Sequence, residues 1–311
     1  MEEQTTLTAQ DVAKVLRVAK NTVYELVKRG ELNHYKVGRK MRFARSDVER
    51  YINESRQVQT HDTRLEKAQK TTTKSESGFI ISGQDALLDV LTGFLGRRGT
   101  LETQALRSYV GSYKGLVSLY HGDVQAATAH LWDGDSGKYN IPFVRRLLPG
   151  IPAMVIHLTG RVQGFYVASG NPKGIKAWSD LRRPDLAIVN REKGAGSRVL
   201  LDEHLRLLGL RGRNIVGYER EELSHLSVAG AVGRGEADLG VGDLKAASQV
   251  DGVDFLALQN EQYDLVIKKD DLESAMVLSI LDILRSKEFQ SQFQFMKGYD
   301  IKGMGNIIAE T

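Results

Sequence analysis

"NREKGAGSRVLLDEHL", residues 190–205, decides the fold. Gly194 and Gly196 lead into Ser197 and Arg198, and a helix-like apolar run follows. A glycine turn that opens a helix presents bare N–H groups at the positive end of the helix dipole. Such a turn holds a nucleotide phosphate, a small anion, or only the start of the helix. A P-loop needs G-x-x-x-x-G-K-[ST], and the Lys-Ser/Thr pair is missing. A Rossmann loop needs G-x-G-x-x-G, and the third glycine is missing. Neither nucleotide motif is met.

Upstream, "DLAIVNR" reads as a strand, so the turn is a strand-to-helix junction. The same alternation runs through residues 78–311. "GFIISG" precedes the helical "QDALLDVLTGFL", and "LRSYVGS" leads into "YKGLVSLYHGDVQAATAHLW". "MVIHLTGRVQGFYVAS" supplies further apolar runs, and "ESAMVLSILDILRSKEFQSQFQF" ends the chain as an amphipathic helix. Alternating strands and helices predict an α/β fold with mostly parallel sheets. In open α/β sheets, ligands sit beyond the carboxyl ends of strands. Three such junctions carry a hydroxyl: Ser82 in "IISGQD", Ser112 in "YVGSYKG" and Ser197 in "GAGSR". If they converge, they form a small anion pocket.

These segments resemble the periplasmic-binding-protein-like fold, particularly cytosolic sensors related to molybdate and tungstate binders. The resemblance runs through "GSYKGLVSLYHGDVQAATAHLWD", "GFYVASGNPKGIKAWSDL", "IVNREKGAGSRVLLDEHL", "GYEREELSHLSVAGAVGRGEADLGVGD" and "DFLALQNEQYDLVI". It implies a two-lobed type II architecture closing like a clam. Lobe one would be residues 78–163 and 262–311, and lobe two 164–261. It also implies ligand contacts from Ser82, Ser112 and Ser197, with Tyr218 or His225 closing the pocket. His130 and Asn140, in "AHLWDGDSGKYN", are further candidates. Arg198 departs from the neutral pocket of molybdate binders; if it points inward, an organic carboxylate or phosphate is favoured. Asp243 reads as a helix cap or hinge anchor.

Residues 1–57 read differently. "TAQDVAKVL" is helical, with Thr8 capping and Asp11 three residues on. Val12, Val15 and Leu16 form its apolar stripe. "NTVYELVKRG" is a second helix with Val23, Leu26 and Val27 inward and Gly30 as its stop. "HYKVGRKMRF" reads as a hairpin with a basic tip, and "SDVERYI" restarts a helix with Ser46 and Glu49 at capping-box spacing. Helix, helix, wing and helix in this order resemble the excisionase-type, MerR-like winged helix-turn-helix family. Ala19 departs from the serine often found there before the second helix. A helix fits the major groove, so Lys20, Asn21, Thr22, Tyr24 and Lys28 are the candidate DNA-reading face. Arg39, Lys40 and Arg42 on the wing would meet phosphates or the minor groove. Residues 58–77 read as a linker, poor in apolar residues.

Charge agrees with this division. Residues 1–57 hold 12 Lys+Arg against 8 Asp+Glu, while the remainder holds 31 of each, so the whole net charge of +4 lies at the N-terminus. That asymmetry points to a polyanion partner for the first segment. With no cysteine, disulfides and thiolate metal sites are excluded. No apolar run approaches a membrane span, and the polar, acidic start is unlike a signal peptide. No H-E-x-x-H or G-x-S-x-G set is present.

The expectation is a cytoplasmic one-component transcription regulator, not an enzyme and without cofactor or metal. It would bind double-stranded DNA as a homodimer and sense a small anion, molybdate or tungstate first. An organic carboxylate or phosphate sensor, an enzyme on a binding-protein fold, and an excisionase-like architectural protein are the alternatives.

Overall fold

The computed structural model describes residues 6–16, 18–28, 32–37, 40–45, 47–48, 51, 78–98 and 104–311. The chain divides into two compact units, residues 1–74 and 75–311.

In the first unit, α1 (Ala9–Leu16) and α2 (Lys20–Lys28) pack above a three-stranded antiparallel sheet. The sheet runs β1 (Thr6–Leu7), β3 (Lys40–Ala44), β2 (Tyr35–Val37) in order. The start of α1 is a reciprocal box. The Thr8 hydroxyl and N–H both donate to Asp11 Oδ2, at 2.6 and 3.0 Å, and the Asp11 N–H donates back to Thr8 Oγ1 at 3.3 Å. Val12, Val23, Leu26, Leu32, Phe43 and Val48 form the core. Val15 is exposed rather than inward; the buried residues of α1 are Ala9, Val12 and Ala13. The wing strands pair Val37 with Lys40 as expected. Arg39 at the wing tip, the Ser46/Glu49 pair and the 58–77 linker lie outside the described residues.

The second unit is organised by one ten-stranded sheet. Two 16-residue strands, β9 (Ala153–Ala168) and β13 (Val253–Lys268), pair antiparallel along their whole length. On one side of them lie β6 (Ala126–Ala129), β4 (Phe79–Ser82) and β5 (Ala105–Ser108). On the other lie β12 (Leu239–Asp243), β10 (Ile188–Arg191) and β11 (Glu221–Glu222). Pairing is parallel within each flank and antiparallel through the centre. The sheet is therefore mixed, not mostly parallel. The apolar runs of "MVIHLTGRVQGFYVAS" form one strand long enough to serve both flanks, and its return partner must run the other way. Two short strands, β14 (Tyr299–Asp300) and β15 (Ile307–Glu310), add to β9. A separate hairpin joins β7 (Trp132–Asp133) and β8 (Lys138–Tyr139).

Helices cover both faces of each flank, so the strands are apolar on both sides. Along β9, Phe165 and Val167 enter one apolar cluster with Leu200, Leu201 and Leu239. Tyr166, between them, enters another with Val189, Val228 and Val232. The first flank is built alike. Ile81 packs with Leu87, Leu91, Ile280 and Phe289 on one face, and Ala127 with Leu116, Leu119 and Val144 on the other. The covering helices are α3 (Ala86–Arg97), α4 (Ser112–His121), α5 (Ile141–Leu147), α6 (Gly196–Leu207), α7 (His225–Gly233), α8 (Leu244–Ala247), α9 (Ala275–Arg285) and α10 (Lys287–Ser291). Strand-then-helix order aims the starts of α3, α4, α6, α7 and α8 at a common space.

Candidate functional site

That space is a cavity of about 570 Å³. It is lined from the first flank by Gly83, Gln84, Asp85, Gly111, Ser112, Thr128 and His130. From the second come Arg191, Glu192, Ala195, Gly196, Ser224, His225 and Asp243, with Arg161 and Tyr263 supplied by the long strands.

The helix starts differ in how they are capped. Asp85 accepts from Leu87 N, Ser224 from Ser227 N and Asp243 from Ala246 N. The caps of α4 and α6, Gly111 and Ala195, have no side-chain oxygen to offer. These two helix starts therefore reach the cavity without a side-chain cap, although the Tyr113 N–H of α4 is taken by the Gly194 carbonyl; the remaining free amides suit an anion. Backbone closeness needs small residues here. A Cβ on Gly196 would fall 2.4 Å from the His130 ring, and one on Gly111 2.9 Å from the carbonyl oxygen of Gly194.

Contacts already span the cavity, among them a Gln84 Nε2 donation to Glu192 Oε1 at 3.4 Å. Tyr113 N–H donates to the Gly194 carbonyl at 3.0 Å. Arg191 Nη2 donates to Gln84 Oε1 at 2.7 Å, while its Nε holds Glu192 at 2.8 Å.

Along the cavity floor runs a largely buried ionic chain. Arg161 donates from Nη1 to Asp85 Oδ2 at 2.7 Å and from Nε to Glu261 Oε1 at 2.6 Å. Glu261 Oε2 meets His130 Nδ1 at 2.7 Å. At the other end, Lys245 donates to Tyr299 Oη at 3.0 Å, and that hydroxyl donates to Asp85 Oδ1 at 2.5 Å. Burial is the largest effect and pushes both carboxyl pKa values up, but Arg161 together with Lys245 and Tyr299 at Asp85, and with His130 at Glu261, outweighs it, and both end below the ordinary range. Burial, helped by Arg191 and Arg161, holds the His225 imidazole well below its ordinary value, so it is neutral near pH 7. Its Nδ1 is buried without a partner.

The residues expected from sequence divide accordingly. Ser112, His130, His225 and Asp243 line the cavity together. Asp243 also caps α8, and His130 N–H donates to Ser112 Oγ at 3.3 Å. Ser82 and Ser197 do not line it. Both hydroxyls are buried without partners, Ser82 Oγ beneath Gly115 of α4. Arg198 is turned away. It donates to the Arg191 carbonyl at 3.2 Å and Asp202 at 3.3 Å, and lies 4.1 Å from the Tyr218 ring centre. Tyr218 in turn donates to Asp202 at 2.7 Å, away from the cavity. Asn140 is spent on structure. In a left-handed conformation, φ 57°, it donates to Asp264 at 2.6 Å and accepts from Leu131 N at 2.8 Å. Sequence reasoning missed Arg161 in the middle of β9, Arg191 at the end of β10 and Asp85 at the cap of α3. No cluster of three metal-ligating side chains occurs among the described residues.

On α2 of the first unit, Lys20, Asn21, Tyr24 and Lys28 are exposed and Thr22 is half-buried, opposite Val23 and Leu26. On the wing, Lys40 is exposed and Arg42 half-buried, with Nη1 donating to the Met41 carbonyl at 3.0 Å.

A PBP superfamily domain is matched over residues 97–285. The chain belongs to the PBP superfamily. A helix-turn-helix domain is matched over residues 6–56. This PBP-superfamily chain is 38% identical to YvgK of Bacillus subtilis (strain 168), over the full length of both. Its second unit resembles a phosphate ABC transporter substrate-binding protein from Clostridium perfringens with bound phosphate. The identity is 14% and the TM-score 0.53, covering 72% of this chain and 99% of that one. It also resembles the CcmR regulatory domain of Synechocystis PCC6803 in complex with 2-PG, at 10% identity and TM-score 0.50, covering 70% and 98%. No helix among the described residues is long and apolar enough to cross a membrane.

Proposed function

We propose that this protein is a one-component transcription regulator whose PBP-superfamily unit senses a small organic anion and whose helix-turn-helix unit binds operator DNA. The observation that carries this is the pair of uncapped helix starts, α4 and α6, facing one cavity beside Arg191 and a neutral His225. The cavity's volume lies within the range of about 300–1,000 Å³ usual for organic ligands. Only one of the three hydroxyls expected for a tetrahedral metal oxyanion lines it. An organic carboxylate or phosphate therefore fits better than molybdate or tungstate. The phosphate and 2-PG bound by the structural neighbours support the same class.

The two flanks act as the two lobes of a type II binding protein, hinged on β9 and β13. The Tyr113–Gly194 contact belongs to the closed state. A ligand shifts the DNA units only through its preference for that state. Two copies of so small a DNA module act as a homodimer on paired half-sites. The regulator binds without turning its ligand over.

The test is calorimetric titration of the whole protein with phosphate, sulfate, molybdate, tungstate and small carboxylates, followed by operator binding with and without each binder. A bound anion should change DNA affinity at least fivefold. Failure of every anion to bind, or binding with no effect on DNA, would sink the proposal.

A further inference from the structure

The cavity has an apolar rim as well as a polar floor. Tyr109 is 61% exposed, Leu223 77% and Leu226 48%, yet all three line the cavity. Exposed apolar side chains at a concave opening mark a surface meant to be covered. Two of the three stand on anchored segments. The Tyr109 hydroxyl donates to Asp89 at 2.7 Å, and Arg107 stacks 4.7 Å from its ring centre. Across the mouth, the Leu223 carbonyl accepts from Arg191 Nη2 at 3.2 Å. The two sides are joined by a short relay. Arg107 donates to the Gly83 carbonyl at 2.7 Å, and the next residue, Gln84, holds Arg191. An aromatic wall and a leucine wall thus flank one opening, tied to the same arginine, Arg191, that lines the cavity.

Resting on the anion-sensor reading above, we infer that the ligand is amphiphilic: an organic acid whose charged head sits at the starts of α4 and α6 and whose aromatic or branched apolar arm lies between Tyr109 and Leu223/Leu226. A bare inorganic anion would leave that rim wet. An apolar arm removes it from water at the moment of closure, so closure and recognition of the arm are one event.

The experiment compares matched probes on the whole protein by calorimetry: inorganic phosphate against phenyl phosphate, and acetate against phenylacetate. Each phenyl-bearing probe should bind at least tenfold tighter than its parent. The double variant Tyr109→Ser/Leu223→Ser, altered only at exposed positions, should bring the ratio of phenyl phosphate to phosphate affinity down to about one. Equal affinity for parent and phenyl probes, or a gain that survives the double variant, overturns the amphiphile while the anion sensor stands. Binding of no probe overturns both.

Discussion

The N–H of Tyr113 and the carbonyl of Gly194 meet at 3.0 Å across the cavity, joining the start of α4 to the turn before α6. Both groups are backbone, so no side-chain substitution deletes the bond directly. Its geometry depends instead on Gly111, whose φ of −68° any residue tolerates, but whose missing Cβ leaves room for Gly194 and Ala195. Gly111→Val should therefore keep the fold and its melting temperature within a few degrees while holding the flanks apart. Solution scattering should show a larger radius of gyration that phosphate no longer reduces. Phosphate affinity should fall at least tenfold, about 1.4 kcal/mol. An unchanged radius and affinity would show that closure does not use this contact.

The hydroxyls separate by position. Ser112→Ala removes a cavity-lining group and should weaken phosphate binding severalfold. Ser82→Ala and Ser197→Ala remove buried hydroxyls that have no partner. An unpaired buried hydroxyl costs roughly 1–3 kcal/mol, so each replacement should be neutral or stabilising in urea unfolding. Neither should alter phosphate affinity. Loss of binding in Ser82→Ala would place the ligand deeper than the cavity described.

Arg161 neutralises two buried carboxylates at once, Asp85 and Glu261. Arg161→Met leaves both buried without the guanidinium that pairs them, a loss of about 3–5 kcal/mol. The triple variant Arg161→Met/Asp85→Asn/Glu261→Gln removes all three charges and should recover most of that loss. Denaturant melts of the two variants decide the matter; equal instability would assign the cost to packing instead.

His225 gives a pH dependence with a definite sign. Its imidazole stays neutral in the fold well below the value near 6.5 at which the unfolded chain takes a proton. Below about pH 6.5 the unfolded state binds the proton and the folded state does not, so stability falls as pH falls until the folded pKa is reached. Burial depresses His204 in the same direction, less strongly. His225→Gln should flatten most of the histidine-linked slope between pH 7.5 and 5, read from urea midpoints. A slope as steep as wild type would show that the imidazole is already charged in the fold.

Periodicity and turn chemistry made much of this legible. The glycines of residues 194–196 marked the start of α6, and Thr8 with Asp11 marked α1, because both effects are local. The antiparallel centre was not legible from the apolar run itself, although the lobe boundaries implied by the resemblance, 163/164 and 261/262, fall inside the two long strands. Nor was the floor. Arg161 lies in the middle of β9 and reads as a break in an apolar stretch until Asp85 and Glu261, far away in sequence, arrive beside it. Arg198 and Asn140 look chemical in one dimension; in three, Tyr218 and Asp264 take them up. A residue's neighbours through space decide between packing and function, and spacing along the chain supplies only the near ones.

DNA binding is the remaining prediction. Lys20, Asn21, Tyr24 and Lys28 share the outward face of α2, while Val23 and Leu26 hold its other face to the core. Lys40 stands exposed where the wing begins its return strand. A lysine that meets phosphate contributes through released counterions, about 0.9 in the slope of log affinity against log salt. Lys40→Ala should lower that slope by about one and weaken every DNA sequence alike. Asn21→Ala, near the helix start that faces base edges, should leave the slope unchanged and cost roughly 1–3 kcal/mol on the operator alone. Neither variant touches the core, so circular dichroism should match wild type. Salt titrations on operator and scrambled duplexes separate the two effects. An Asn21→Ala loss of equal size on both duplexes would mean that α2 grips the backbone and that sequence is read elsewhere.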